Sequence, residues 1–370
     1  MKRAFQSVLS FLLVMSMAVC LCACSGGIGN KEPALKIAIL TSPESQTPEE
    51  YRRAAEIAQE YKYAEIFTCA DSRVASSGVS DVYTKAVALA EDKSVGAIIF
   101  ARANRHTKAA AQAAKAKNPK LLVVCTAPEE DVEKLGTVAD MVLTVDTQRD
   151  AAMMVEHAKE QGAQVFIFYS PGRHQSTLSV REAREAAEAK CAELGMEYKF
   201  VNCYDTLQSL GLNGAKQFIR EDISRQMKNY DGKKLAVFST EQTVQPELVE
   251  LALEKGFILA GTGFPSPYEG YASALNINLG KNWDSKGKLL REIKSSLKDR
   301  GAQKGQFVVW NELTGVSMLN SAFEYARSVL CGDTPNMAKI VKANFSNNIK
   351  LSDKLVKNCW FVYAEDYYEL

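Results

Sequence analysis

The sequence predicts an α/β protein of two lobes, each a parallel sheet covered by helices. Its 370 residues exceed what one ordinary hydrophobic core accommodates. Short apolar runs of strand length alternate with segments of helical period, the pattern of parallel sheets with helices on both faces. The stretch 141–170, MVLTVDTQRDAAMMVEHAKEQGAQVFIFYS, shows how the halves join. An apolar run (141–145) gives way to a polar break (146–150) and then to a helix with Ala151, Met154, Val155 and Ala158 on one side. The run 165–169 is nearly all apolar, as a parallel strand buried on both faces must be. This stretch is read as the first crossover between the lobes.

Before the crossover, 35–40 (LKIAIL) is a buried strand and 41–43 the loop after it. Pro48, Glu49 and Glu50 open a helix, with acids favourably placed in its first turn. Strands follow at 64–69, 95–100, 121–125 and 141–145, with helices at 82–90 and 107–116. Beyond the crossover, strands at 165–169, 198–202, 235–238 and 257–260 alternate with helices at 180–194, 215–227 and 246–255. The pattern then loosens. The stretch 268–279 is open between strand and loop, 285–297 is a charged amphipathic helix and 306–310 a strand. A helix at 313–330 ends near Gly332 and Pro335, and 359–364 is an aromatic strand.

The amino terminus carries its own signal. Lys2 and Arg3 precede a short apolar core (11–19), then Leu21-Cys22-Ala23-Cys24 and Ser25-Gly26-Gly27. The apolar run is too short for a comfortable membrane span and suits an exported, cleaved leader. The Leu-x-Ala-Cys order resembles the bacterial lipoprotein signal. That implies cleavage before Cys24 and diacylglyceryl attachment to its thiol, with palmitate-type chains that add about 0.8 kcal/mol per buried methylene. An ordinary signal peptide with incidental cysteines is the competing reading. Residues 1–23 are expected to be the signal peptide and 24–33 a tether. The protein would then sit lipid-anchored at the extracytoplasmic face of the cell membrane.

The 45 basic and 44 acidic residues nearly cancel, which offers no general attraction for nucleic acid. Cys69, Cys125, Cys191, Cys203, Cys331 and Cys359 are scattered without a paired framework and suit small buried hydrophobes. His106, His157 and His174 lie far apart, and no zinc-ligand spacing occurs, so neither metal nor cofactor is expected. The loop 171–176 (PGRHQS) contains a glycine but lacks the Gly-Lys-Ser/Thr ending of a phosphate-binding loop.

Several segments together are similar to the type I periplasmic (solute-)binding proteins, the body shared by LacI-type sensors and basic-membrane-protein lipoproteins. They are the opening KIAIL, the third strand VGAIIFARAN and the crossover VLTVDTQRDAAMMVEHAKEQGAQVFIF. The helix after the second-lobe loop, where Arg181 or Arg184 fills an arginine position, adds to the likeness. So does Trp310-Asn311-Glu312-Leu313-Thr314-Gly315, similar to the third crossing of that body. The resemblance covers about residues 34–335 and points to a bacterial lipoprotein branch of unknown function. It implies two Rossmann-like (flavodoxin-like) lobes with parallel sheets and a multi-strand hinge. The first lobe is expected at 34–146 plus about 307–332, the second at 147–306 plus 333–370. Two departures put the family's ligand classes in question. Ala186 and Ala187 stand where glycine often follows the arginine, and Thr41-Ser42-Pro43-Glu44-Ser45 replaces a short acidic loop.

In open parallel sheets, ligands bind beyond the carboxyl ends of the strands. The candidate ligand-binding residues are therefore Thr41, Ser42, Arg102, Asn104 and Thr126 from the first lobe. From the second come Tyr169, Arg173, His174, Tyr204, Asp205, Thr240, Glu241, Gln242, Thr262 and Phe264, with Asn311 on a crossing. Thr41, Thr126 and Thr240 are equally suited to capping the helices that follow, Tyr169 to finishing the core, and Arg102, Arg105 and Arg173 to solvated loops. As binding groups, the arginines tilt the expectation toward an anionic moiety. No Gly-x-Ser-x-Gly or His-Glu-x-x-His motif or close Cys–His pair appears, so no catalytic residue is assigned. Asp205 and Glu241 leave a two-carboxylate surface hydrolase as the remote alternative.

The expected function is capture of a small polar ligand (a sugar, nucleoside or small signalling molecule) between the lobes. The expected partner is an ABC permease, which would make the protein part of an importer, or alternatively a membrane receptor.

Overall fold

A computed structural model describes residues 31–44, 46–69, 80–261, 268–279 and 286–370, with only the backbone of Lys286. Ala34–Leu370 form one compact unit.

The first sheet is laid down by β1 (Lys36–Thr41), β2 (Ala64–Thr68), β3 (Val95–Phe100), β4 (Leu122–Thr126) and β5 (Met141–Val145). Four helices connect them: α1 (Pro48–Glu60), α2 (Asp81–Glu91), α3 (Thr107–Lys117) and the short α4 (Val132–Gly136). Every residue of β3, β4 and β5 is buried, as strands covered on both faces require. The sheet runs β11-β12-β5-β4-β3-β1-β2, where β11 is Ile349–Leu351 and β12 is Cys359–Ala364. All neighbours are parallel except β11 against β12.

The helix α5 (Thr147–Glu160) carries the chain across. Its N-cap Asp146 accepts from the backbone N–H of Arg149 at 3.3 Å and from the Ser352 hydroxyl at 2.7 Å. The second sheet contains β6 (Val165–Pro171), β7 (Glu197–Cys203), β8 (Leu235–Ser239) and β9 (Ile258–Leu259) in the order β7-β6-β8-β9, all parallel. Its helices are α6 (Leu178–Glu193), α7 (Gly211–Asn229), α8 (Gln245–Lys255), α9 (Glu269–Ala274) and α10 (Lys286–Asp299). A two-stranded antiparallel ribbon, β10 (Val308–Val309) with β13 (Tyr368–Glu369), continues this sheet through a bridge between Leu259 and Phe307.

The fold class is the one the sequence predicts. The lobe assignment differs from expectation at the carboxyl end. Residues 333–370 are expected in the second lobe, but α12 (Met337–Asn344), β11 and β12 complete the first sheet. The cause is the free edge of β5, against which Cys359–Val362 pair in parallel while Val362 enters the core of the first lobe. Only β13 returns to the second lobe. The strand expected at 306–310 ends as a two-residue strand beside β9. The helix after it, α11 (Thr314–Leu330), packs Met318, Leu319, Ala322 and Ala326 into the first-lobe core. The stretch 268–279, open between strand and loop, forms α9, anchored by the Tyr268 and Tyr271 hydroxyls, which donate to the carbonyls of Trp310 (2.8 Å) and Val308 (2.9 Å). The chain thus passes between the sheets at 145–147, 309–314 and 364–368. Residues 310–315 make the second of these passages in chain order, not the third.

Candidate functional site

Both sheets begin with the order 2-1-3-4, so each has a switch point where neighbouring connections leave on opposite faces. The carboxyl ends of β1, β3 and β4 face those of β6, β7 and β8 across a narrow cleft. Across it, Arg102 Nη2 donates to Gln242 Oε1 at 3.3 Å.

On the first-lobe side, Arg102 has φ +57° and Ala127 φ +45°, a left-handed backbone that costs a side-chain-bearing residue energy. The turn is held because the N–H of Arg102 donates to Thr126 Oγ1 (3.1 Å) and that of Ala103 to the Thr126 carbonyl (2.8 Å). Thr126 therefore ties two strand ends together and caps no helix. Thr41, Ser42, Arg102 and Asn104 line a space of about 10 Å³. Asn104 Oδ1 accepts from the N–H of His106 at 3.2 Å, a local turn leading into α3.

The second-lobe side is a connected polar cluster. Arg173 Nε donates to Asp205 at 2.8 Å, Nη2 to Glu241 and to Thr206 Oγ1 (3.4 Å), and Nη1 to His174 Nε2 (2.8 Å). Because a guanidinium can only donate, His174 Nε2 must accept, and its Nδ1–H donates to Thr240 Oγ1 at 2.9 Å. Thr240 in turn donates to Ser170 at 2.8 Å. Burial, reinforced by the Arg173 charge, pushes His174 down to about 4, so the ring is neutral at pH 7. Burial alone would raise the Glu241 carboxyl, but the Thr243 hydroxyl and Arg173 outweigh it and hold it below its ordinary value.

Several candidates stand elsewhere. Tyr169 is 0% exposed, and its hydroxyl donates at 2.7 Å to the buried Asp222 of α7. It finishes the core and does not line the cleft. Tyr204 is held beside α7, where its hydroxyl accepts from the N–H of Leu210 at 2.9 Å. Asn311 lies on the second crossing, where its carbonyl accepts from Ser346 at 3.1 Å. Arg184 braces the loop from outside, bonding Gln175 at 3.0 Å and covering the Phe200 ring. Thr262, Phe264 and Cys24 lie outside the described residues.

Four further polar side chains, on α1, α8 and α9, are not singled out for binding by sequence reasoning. Glu49 and Glu50, in the first turn of α1, are buried, as is Gln245 at the start of α8. Glu269 accepts from Gln242 Nε2 at 3.3 Å. Burial pushes its carboxyl up to about 7, with Arg102 opposing and Glu50 adding to the rise. Paired acids after Pro48 carry the signature of a helix start and nothing more, and Glu269 falls in the stretch without a clear pattern. At the opposite end, a space of about 70 Å³ lies among Glu130, Thr147, Ser179, Glu182 and Lys354. Among the described residues no group of three or more His, Cys, Asp or Glu side chains is placed to hold a metal ion.

Residues 35–307 match a protein family of unknown function, DUF3798. The chain belongs to that family. It is also 27% identical over 192 residues to an uncharacterised protein of Treponema pallidum, covering 52% of this chain and 87% of the relative. A crystal structure from Clostridium difficile described as a transcriptional regulator superposes with a TM-score of 0.73 at 22% identity, covering 92% of this chain and 99% of that one. A structure described as a sugar ABC transporter from Actinomyces odontolyticus gives a TM-score of 0.56 at 12% identity, covering 91% and 95%. This chain therefore has the fold of the type I periplasmic binding proteins.

Proposed function

We propose that this DUF3798 protein is a lipid-anchored extracytoplasmic binding protein that captures a small polar molecule between its lobes for an ABC importer. The observation that carries the reading is the pair of polar strand-end clusters facing each other across one hinge, bridged by Arg102 and Gln242. Such an arrangement encloses a ligand when lobes close on it. The likeness to a structure described as a sugar ABC transporter supports import. The closer likeness to one described as a transcriptional regulator favours a second use of the same cleft, reporting ligand closure to a membrane receptor. Surface hydrolysis is disfavoured, because Asp205 and Glu241 both bond Arg173.

Native mass spectrometry of freshly purified residues 25–370 is expected to show a co-purifying small mass. The full-length protein is expected to incorporate a clickable palmitate analogue that Cys24→Ala loses. A chain with no small mass, no stabilisation by any polar metabolite and label independent of Cys24 would overturn the reading.

A further inference from the structure

The arginine of the second-lobe cluster is already neutralised. Arg173 bonds both Asp205 and Glu241, so it has little attraction left for an anionic ligand. Other charges act where the first turn of α1 faces α9. Here Glu50, 3% exposed, packs against Gly315 of α11, and its charge acts on Glu269 across the cleft. Glu49, 4% exposed, acts on Tyr268 from the same turn. Arg102 is the cation that acts on Glu269, and its own bond goes to Gln242.

A separate observation marks this acidic end as a binding surface. Gln245 is 3% exposed, yet among the described residues neither its amide oxygen nor its amide nitrogen has a hydrogen-bond partner. A buried amide left unbonded has given up its hydrogen bonds to water and gained none in return. Gln245 lies hard against Gly270, the residue after Glu269, where a β-carbon would come within 2.6 Å of the amide carbon. Glu269 Oε1 is also buried and unbonded, while Oε2 accepts from Gln242. The helices that carry Gln245 and Glu269 thus pack together and hold two open acceptors and one open donor between them, with Glu50 and Arg102 as the charges that act on Glu269. An ammonium group presents three donors and a positive charge, which satisfies the acceptors and the charge together. A phosphate or carboxylate would meet Glu50 and Glu269 with like charge, and a neutral polyol would leave the acidic excess in place.

We propose that Gln245 and Glu269, facing Glu50 and Arg102, form a subsite for a protonated amine, so that the captured molecule is a small organic cation. This rests on the binding reading above and names the ligand class of the same cleft. The test is a thermal-shift panel on purified residues 25–370 with three arms. They are primary amines and amino sugars; neutral sugars and nucleosides; and carboxylates and sugar phosphates. Stabilisation is expected in the amine arm, with affinity by titration calorimetry falling at least tenfold in Glu269→Gln and in Glu50→Gln. Stabilisation confined to the neutral or anionic arm would overturn the amine subsite and leave the binding protein intact. Amine binding unchanged in both folded variants would also overturn it. Silence in every arm, with no co-purifying mass, would overturn both readings. If either variant fails to fold, the panel on the unmodified chain still decides.

Discussion

His174 shows how a single side chain can carry a pH response within the second-lobe polar cluster. Its neutral ring accepts from Arg173 and donates to Thr240, so protonation would cost an acceptor and set two cations side by side. In the unfolded chain an imidazole titrates near about 6.5; in place it titrates at about 4. Between those values the unfolded chain holds more protons than the folded one. The stability His174 contributes is therefore full above about pH 6.5 and is lost as pH falls toward 4. Glu241, with its lowered carboxyl, loses its share further down the acid range. Replacing His174 by Gln keeps hydrogen-bonding capacity and removes the titration. Denaturation midpoints between pH 4 and 7 should then fall less steeply in His174→Gln than in the unmodified chain. Equal slopes would place the response elsewhere.

At the level of elements, β12 is where the sheet depends on one close approach. Gly136, ending α4, lies so near the last strand that a β-carbon there would come within 2.5 Å of Cys359 Sγ and 2.6 Å of the Lys357 carbonyl. The sulfur can turn away, but the backbone oxygen cannot. Gly136→Ala should push β12 from β5 and cost about 1–3 kcal/mol of overpacking, read as a lowered thermal midpoint. An unchanged midpoint would mean the edge strand shifts freely. This pairing also marks the limit of what the sequence reveals. Strands such as 95–100 and 165–169 announce themselves by composition, because burial on both faces allows little but apolar residues. Cys359–Ala364 is as apolar, yet nothing local says which of two sheet edges it will join. The site divides similarly. The placement of Arg102, Arg173, Asp205, Thr240, Glu241 and Gln242 just beyond strand ends is legible, because strand ends are fixed once strands are found. Tyr169 is not, because the buried acid that takes its hydroxyl, Asp222, comes from a helix 53 residues away. Gln245 and Glu269 come from two helices of the second lobe, and Glu50 acts on Glu269 only once the lobes are brought together.

The whole molecule turns on one carboxylate. Asp150, just after the first crossing, accepts from the Trp310 indole N–H at 2.8 Å and from the Tyr367 hydroxyl at 2.7 Å. Trp310 opens the second crossing and Tyr367 lies on the third, so the three described connections between the sheets meet at this group. Moving one of these connections past the others breaks a charge-assisted bond of about 1.5–3 kcal/mol. Burial pushes the Asp150 carboxyl up to about 6, although both donors favour its charged form. A raised carboxyl contributes stability below its unfolded pKa and loses it as pH climbs through about 6, opposite in sense to His174. Trp310→Phe and Tyr367→Phe each delete one donor while keeping an aromatic ring. Each should cost about 1–3 kcal/mol in urea unfolding of residues 25–370. Because both act on the same oxygen of Asp150, the double variant should depart from additivity by at least about 0.5 kcal/mol. In an Asp150→Asn background, where that charge is gone, the departure should shrink. Additive losses in the carboxylate background would mean that the crossings are held independently. Lobe closure would then be a property of each connection and not of a common pivot.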